Sequence, residues 1–148
     1  METIKHKGKI HIHPGFETFI LASISIIIFL SIELISRIRD WYRIFPYIDI
    51  FTHLLAGISL FFVAFWIGTV LKDKHKHKLA FFFVVASSII WEIMETLEEM
   101  IVPNPPHLKD IFFWDGFFDI IFAIIGGFIA FSFILNYMKT FRKLIWKS

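Results

Sequence analysis

Four long apolar blocks, separated by short polar segments, dominate the pattern of the chain. Each block is about 20 residues long, and an α-helix of that length rises roughly 30 Å, the thickness of a hydrocarbon core. Transmembrane barrel strands do not fit, because they are only about 10 residues long and alternate apolar with polar positions. The pattern predicts an all-α integral membrane protein, a four-transmembrane-helix bundle forming a single domain over residues 1–148, with helices at about 16–37, 48–71, 79–100 and 115–138.

Composition supports this class and limits the chemistry. Hydrophobic residues make up 57% of the 148 residues, and the mean hydropathy is +0.69, well above the range of soluble domains. The chain contains no cysteine, which excludes disulfides, thiolate metal ligands and thiol nucleophiles. Any bound metal would therefore be held by oxygen and imidazole.

The distribution of Lys and Arg predicts the orientation of the helices. Eleven of the fifteen basic residues fall in the N-terminal segment, the loop between the second and third helices, and the C-terminal segment, which share one side of the membrane. Because cytoplasmic segments carry an excess of Lys and Arg, both termini are expected in the cytoplasm of a multi-pass protein of the cell membrane. Ten of the thirteen acids lie on the other side, so the inner surface is near +8 and the outer near −6.

Six titratable residues stand at one level near the outer ends of three different helices. Counted from the inner helix ends, the four of them that lie deepest in their helices are about 20–28 Å up the membrane. Within each helix they are spaced three or four residues apart and so share one face. The six are Asp49 and His53 in the second helix, Glu92 and Glu95 in the third, and Asp115 and Asp119 in the fourth.

Carboxylates kept inside a membrane usually have a function or a partner, because burying them is expensive. Close carboxylates also repel one another, so either several take up protons or a cation neutralises them. This favours a divalent cation, Mg²⁺, Ca²⁺, Mn²⁺ or Zn²⁺, with the six residues as ligands. An interhelical hydrogen-bond network of partly protonated acids and a proton or ion pathway remain as alternatives.

Three short motifs resemble the YjdF-like membrane proteins, relatives of the VanZ-like group. The first is Tyr47 to Gly57 (YIDIFTHLLAG), with an Asp, a His four residues on and a Gly four beyond. The second is Trp91 to Glu95 (WEIME), and the third is Trp114 to Asp119 (WDGFFD) followed by Gly126. The resemblance implies that the six titratable residues form one site. It does not supply a substrate, because the YjdF-like family has no established biochemical function.

Two classes of function follow. The first is a binder of a divalent cation and of a lipid headgroup, with a small ion or proton transport subunit as its variant. The second is a membrane-embedded metal-dependent enzyme acting on a lipid or polyprenyl phosphate, with His53 or Glu95 as acid or base. The enzyme hypothesis lacks an arginine cluster to bind the phosphate, because Arg39 and Arg43 are the only outer arginines expected near the pocket. The bilayer is the expected partner and nucleic acid is not, while Gly126 and Gly127 would permit a homo-oligomer.

The charge bias makes the orientation testable. Cysteines introduced as Lys76→Cys and Asn104→Cys should react with an impermeant thiol reagent from opposite sides of the membrane, Lys76→Cys from the cytoplasm. The chain has no native cysteine, so labelling reports only the introduced residue. Labelling of both positions from one side would contradict the orientation.

Overall fold

The structure is a computed structural model that describes residues 14–45, 47–101 and 109–146, without the side chains of residues 14, 43, 98–101, 109–115 and 138–146. These ranges form helices only, and four of the helices contain segments long and apolar enough to cross a membrane, which confirms the predicted fold class. The orientation stays a prediction. In chain order the helices are α1 (Pro14–Ile38), α2 (Trp41–Ile44), α3 (Ile48–Val70), α4 (Lys76–Ile101) and α5 (Lys109–Trp146).

The helix ends differ from the expected boundaries in three places. α4 begins at Lys76, within the basic loop, and the short α2 was not predicted. α5 extends beyond both expected ends, from Lys109 to Trp146. It continues through the basic C-terminal segment because no Gly or Pro follows Gly127 to end the helix. Lys139, Arg142 and Lys143 of that segment therefore lie on a helix.

Local backbone geometry explains the two tight connections. Asp40 adopts a left-handed φ of 54°, which Asp tolerates better than most residues, and it separates α1 from α2. Lys72 has a φ of 56°, and the amides of Lys72 and Asp73 donate to the carbonyls of Thr69 and Gly68. This is the hydrogen-bond pattern of a Schellman motif, which satisfies the last carbonyls of α3 and turns the chain into α4.

α3 is the central helix and contacts α1, α4 and α5. Its Phe61 is fully buried, and the rings of Phe65, Phe81 and Phe131 surround it at centroid distances between 5.1 and 6.2 Å. Aromatic pairs at such distances stabilise beyond the area that they bury. This cluster joins α3, α4 and α5 in the half of the bundle near the 71–75 loop.

Two glycines let α3 and α5 approach closely in the other half. A Cβ on Gly57 would collide with the backbone carbonyl of Ala123, and a Cβ on Gly126 would collide with the carbonyl of Leu54. Only Gly fits at either position, and small residues of this kind let membrane helices approach closely. The contact fixes the rotation of α5 against α3 and with it the direction in which Asp119 points.

Gly57→Ala and Gly126→Ala should each destabilise the bundle, because the added methyl group meets backbone that cannot move aside cheaply. Overpacking of this kind costs about 1–3 kcal/mol. The matched control is Gly127→Ala, whose methyl would meet the Phe81 ring at 3.5 Å, an ordinary contact. Thermal unfolding of the purified variants in one detergent should give melting temperatures below that of wild type for the first two variants. The melting temperature of Gly127→Ala should be close to that of wild type. Wild-type melting of Gly57→Ala would show that the helices are not held this closely.

Candidate functional site

A cavity of about 1110 Å³ lies at the α3 N-terminal end of the bundle and extends along the helices. All five helices contribute to its lining. α1 and α4 form opposite walls, and among the described residues their Cα atoms nowhere come within 8 Å of each other. α3 lies between them as the shared wall. The cavity is therefore a cleft between two helices whose backbones stay apart.

Five of the six predicted ligands line this cavity. They come from three helices, as the common depth and the shared faces indicated. We call these five residues the acidic cluster: Asp49, His53, Glu92, Glu95 and Asp119. The sixth, Asp115, belongs to α5 one turn before Asp119, and its side chain lies outside the described residues.

His53 is at the centre of the acidic cluster. Its Nε2 lies 3.4 Å from Oδ1 of Asp49 and 3.7 Å from Oδ2 of Asp119. Asp49 is one helical turn away on α3, whereas Asp119 reaches His53 from α5 across the glycine contact. The Asp119 side chain is 7% exposed, the most buried of the three. A charged carboxylate in that position needs a partner, and the imidazole is near enough to be one.

Two groups of donor atoms are close enough to hold a metal ion, and His53 belongs to both. One is Asp49, His53 and Asp119, and the other is His53, Glu92 and Glu95. Within each group the ligand atoms lie within 4.8 Å of one another. Ligands at about 2.0–2.6 Å from one Mg²⁺ or Ca²⁺ are themselves at most about 4–5 Å apart. Small rotamer adjustments could therefore bring either group around a single ion.

Gly116 makes room for one of these carboxylates. A Cβ at Gly116 would lie 2.5 Å from Oε2 of Glu92. The glycine after Asp115 in the third sequence motif thus has a packing reason, because it lets the Glu92 carboxylate stand between α4 and α5. Its place in the motif had not by itself indicated this role.

A second polar group borders the acidic cluster, and sequence reasoning missed most of it. An ion pair joins two residues one turn apart on α1, with Arg37 Nε donating to Glu33 Oε1 at 2.5 Å. The hydroxyl of Tyr42 on α2 donates to the other oxygen of Glu33 and lies 3.4 Å from Oγ1 of Thr52. Thr52 in turn donates to the Asp49 carbonyl at 2.9 Å. This chain of contacts ties α1 and α2 to the first turn of α3.

The position of Arg37 corrects one expectation. Arg37 lines the cavity, whereas Arg39 is not among its described lining residues and the Arg43 side chain is outside the description. The end of α1 therefore lies beside the site, together with Tyr42 of α2. The first helix thus belongs to the cavity, although none of the three sequence motifs lies on it.

Several lining hydroxyls are already bound to their own helix. Ser88 donates to the Val84 carbonyl at 2.9 Å and Thr96 to the Glu92 carbonyl at 2.8 Å. Such back-bonding is ordinary for Ser and Thr in helices and leaves the hydroxyl unactivated. Ser59 differs: it is 3% exposed, it lines the cavity, and its Oγ has no hydrogen-bond partner in the part of the chain that the structure describes.

Fold and cavity together define a multi-pass membrane protein with a carboxylate-rich cleft between its helices. The chain belongs to the family described as predicted membrane protein (DUF2238), whose profile matches residues 8–140. That range includes all three sequence motifs and every residue of the acidic cluster. No curated protein and no solved structure shows significant similarity to the chain.

Tyr42→Phe should destabilise the protein, because the Glu33 carboxylate loses a buried donor. Hydrogen bonds to charged groups contribute about 1.5–3 kcal/mol. Tyr47→Phe is the matched control, since Tyr47 is 78% exposed. Thermal unfolding in detergent near pH 7 should separate the two variants. Equal melting of both would show that the Tyr42 hydroxyl does not join α2 to α1.

The same contact predicts a pH dependence. Burial raises the pKa of Tyr42 above its ordinary value of 10.0, and the hydrogen bond to Glu33 raises this pKa further. The folded protein thus holds the phenolic proton more tightly than the unfolded chain. The stability that the protonated Tyr42 hydroxyl contributes is complete below pH 10.0 and is lost as the pH rises above it. The difference in stability between wild type and Tyr42→Phe should therefore shrink in strongly alkaline solution.

Proposed function

We propose that this chain binds a divalent cation, Mg²⁺, Ca²⁺, Mn²⁺ or Zn²⁺, in the acidic cluster. The observation that carries the proposal is the convergence of one imidazole and four carboxylates from three helices at one end of the cavity. Carboxylates and a neutral imidazole are the donors that these ions share. Asp49, His53 and Asp119 form the proposed inner set, Glu92 and Glu95 complete it, and Asp115 remains a proposed ligand from its sequence position.

Charge balance favours a cation over a hydrogen-bond network alone. The described lining holds five carboxylates, those of the acidic cluster and Glu33, against the single guanidinium of Arg37. Arg37 is already paired with Glu33. Four carboxylates thus share His53 in a partly buried site, where like charges repel more strongly than in bulk water. A divalent cation removes most of that repulsion.

A binding role fits the lining better than a transport path does. The ionisable residues of the described lining all lie near the same end of the cavity, and the rest of the lining is uncharged. The enzyme alternative, with His53 or Glu95 as acid or base, shares the acidic cluster. For such an enzyme, Arg37 is the lining residue that could bind a substrate phosphate.

Topology and ancestry complete the proposal. From the charge bias we place the cation on the extracytoplasmic side. Membership of the DUF2238 family agrees with the YjdF-like resemblance of the three motifs. The link to VanZ-like proteins and a homo-oligomeric state remain predictions from sequence.

Chelator should lower the melting temperature of the purified protein at neutral pH, and one of the four metals should restore it. A cation bound only to the folded state adds about 2.7 kcal/mol at a hundredfold excess over its Kd. Asp49→Asn combined with Asp119→Asn should abolish the response and the metal found by elemental analysis. Asp73→Asn, in the loop between α3 and α4, is the matched control and should respond like wild type.

Protons compete with the cation for the carboxylates, so the chelator effect should decline as the pH falls from about 8 to about 5. The proposal fails if wild-type protein melts identically with chelator and with each metal over that range. The hydrogen-bond network would then be the better account of the acidic cluster.

A further inference from the structure

The cavity is far larger than a cation needs. Its volume of about 1110 Å³ is at the upper end of small-molecule sites, which span about 300–1,000 Å³. Along α3 the lining continues from His53 to Val63, ten residues or about 15 Å toward the middle of the span. Most of the lining in this lower part is apolar: Ile26, Phe29, Leu30, Leu60, Val63 and Phe83.

The cavity is also placed for entry from the bilayer. The Cα atoms of its walls α1 and α4 stay more than 8 Å apart in the described part of the chain, and the cleft between them is bounded by α3 on one side. On α1, Leu30 lines the cavity and is nevertheless 55% exposed. A side chain that lines the cavity and is this exposed fits a position at the open edge of the cleft. In a membrane, acyl chains surround such an edge.

The polar end selects the kind of headgroup. With a divalent cation bound and the groups charged, the five lining carboxylates still exceed the positive charges of the cation and Arg37 by two. Trp91 and Tyr42 lie in the same part of the lining. Carboxylates beside aromatic faces are the surroundings that an ammonium group prefers. Arg37 and the cation are the groups that a phosphate would meet.

We propose that the cleft binds one zwitterionic phospholipid with an ammonium headgroup, its acyl chain in the apolar lower part. The ammonium group lies toward Glu92, Glu95 and Trp91, and the phosphate toward Arg37 and the cation. Ser59, whose buried hydroxyl has no partner among the described residues, lines the same cavity. This inference rests on the proposed function in one respect, because the cation counterbalances carboxylates beside the phosphate.

The test uses full-length protein in micelles supplied with equal amounts of phosphatidylethanolamine and phosphatidylglycerol, with retained lipid measured by native mass spectrometry. Wild type should retain one phosphatidylethanolamine, about tenfold in preference to phosphatidylglycerol, equivalent to about 1.4 kcal/mol. Leu30→Trp, which fills the lower cleft, should retain about tenfold less. Ile27→Trp is the matched control on α1, because Ile27 is 63% exposed and is not among the lining residues.

Trp91→Leu tests the headgroup and should reduce the preference between the two lipids. Equal retention by Leu30→Trp and Ile27→Trp would overturn the inference, as would equal retention of the two lipids by wild type. Metal analysis of the same samples keeps the two proposals apart. If wild type holds no metal but retains phosphatidylethanolamine in a Leu30-dependent manner, the lipid site stands and the cation site falls.

Discussion

The close contact of α3 with α5 at Gly57 and Gly126 is the constraint on which the site depends. It removes side chains from the interface, so the two backbones meet directly. As a result, Oδ2 of Asp119 on α5 lies 3.7 Å from Nε2 of His53 on α3. Below this level the packed rings around Phe61 hold α4 against the same pair. The acidic cluster is thus supported by packing that contains no charged group.

Burying carboxylates between membrane helices costs free energy, and the bundle limits that cost in two ways. Glu33 is met by Arg37 and by the hydroxyl of Tyr42, so one acid is fully engaged at the edge of the cavity. Asp49 and Asp119 share the imidazole of His53. Because one imidazole cannot balance four carboxylates, the cluster is suited to a positively charged ligand. Stability and binding would then be coupled through the same groups.

The arrangement of the helices gives the cavity two different ends. Among the long helices, the backbone of α1 lies close to α3 alone, whereas α4 and α5 pack on α3 and on each other. The space left between α1 and α4 is polar where the helices carry Arg37, Glu92 and Glu95, and mostly apolar along Leu30 and Val63. A cleft of that polarity, at the edge of a bundle, matches an amphiphile lying parallel to the helices.

The sequence by itself determined the four spans, because continuous apolar runs of helical length have few other stable forms in a bilayer. It also indicated the acidic cluster, since spacing within a helix fixes the face and depth of each residue. Only the tertiary structure decided that Arg37 and Tyr42 join the site, because Asp40 redirects the chain by a backbone conformation that no periodicity reveals. The size of the cleft likewise depends on how far apart α1 and α4 lie. That is set by packing between distant segments, for which a single sequence holds no local signal.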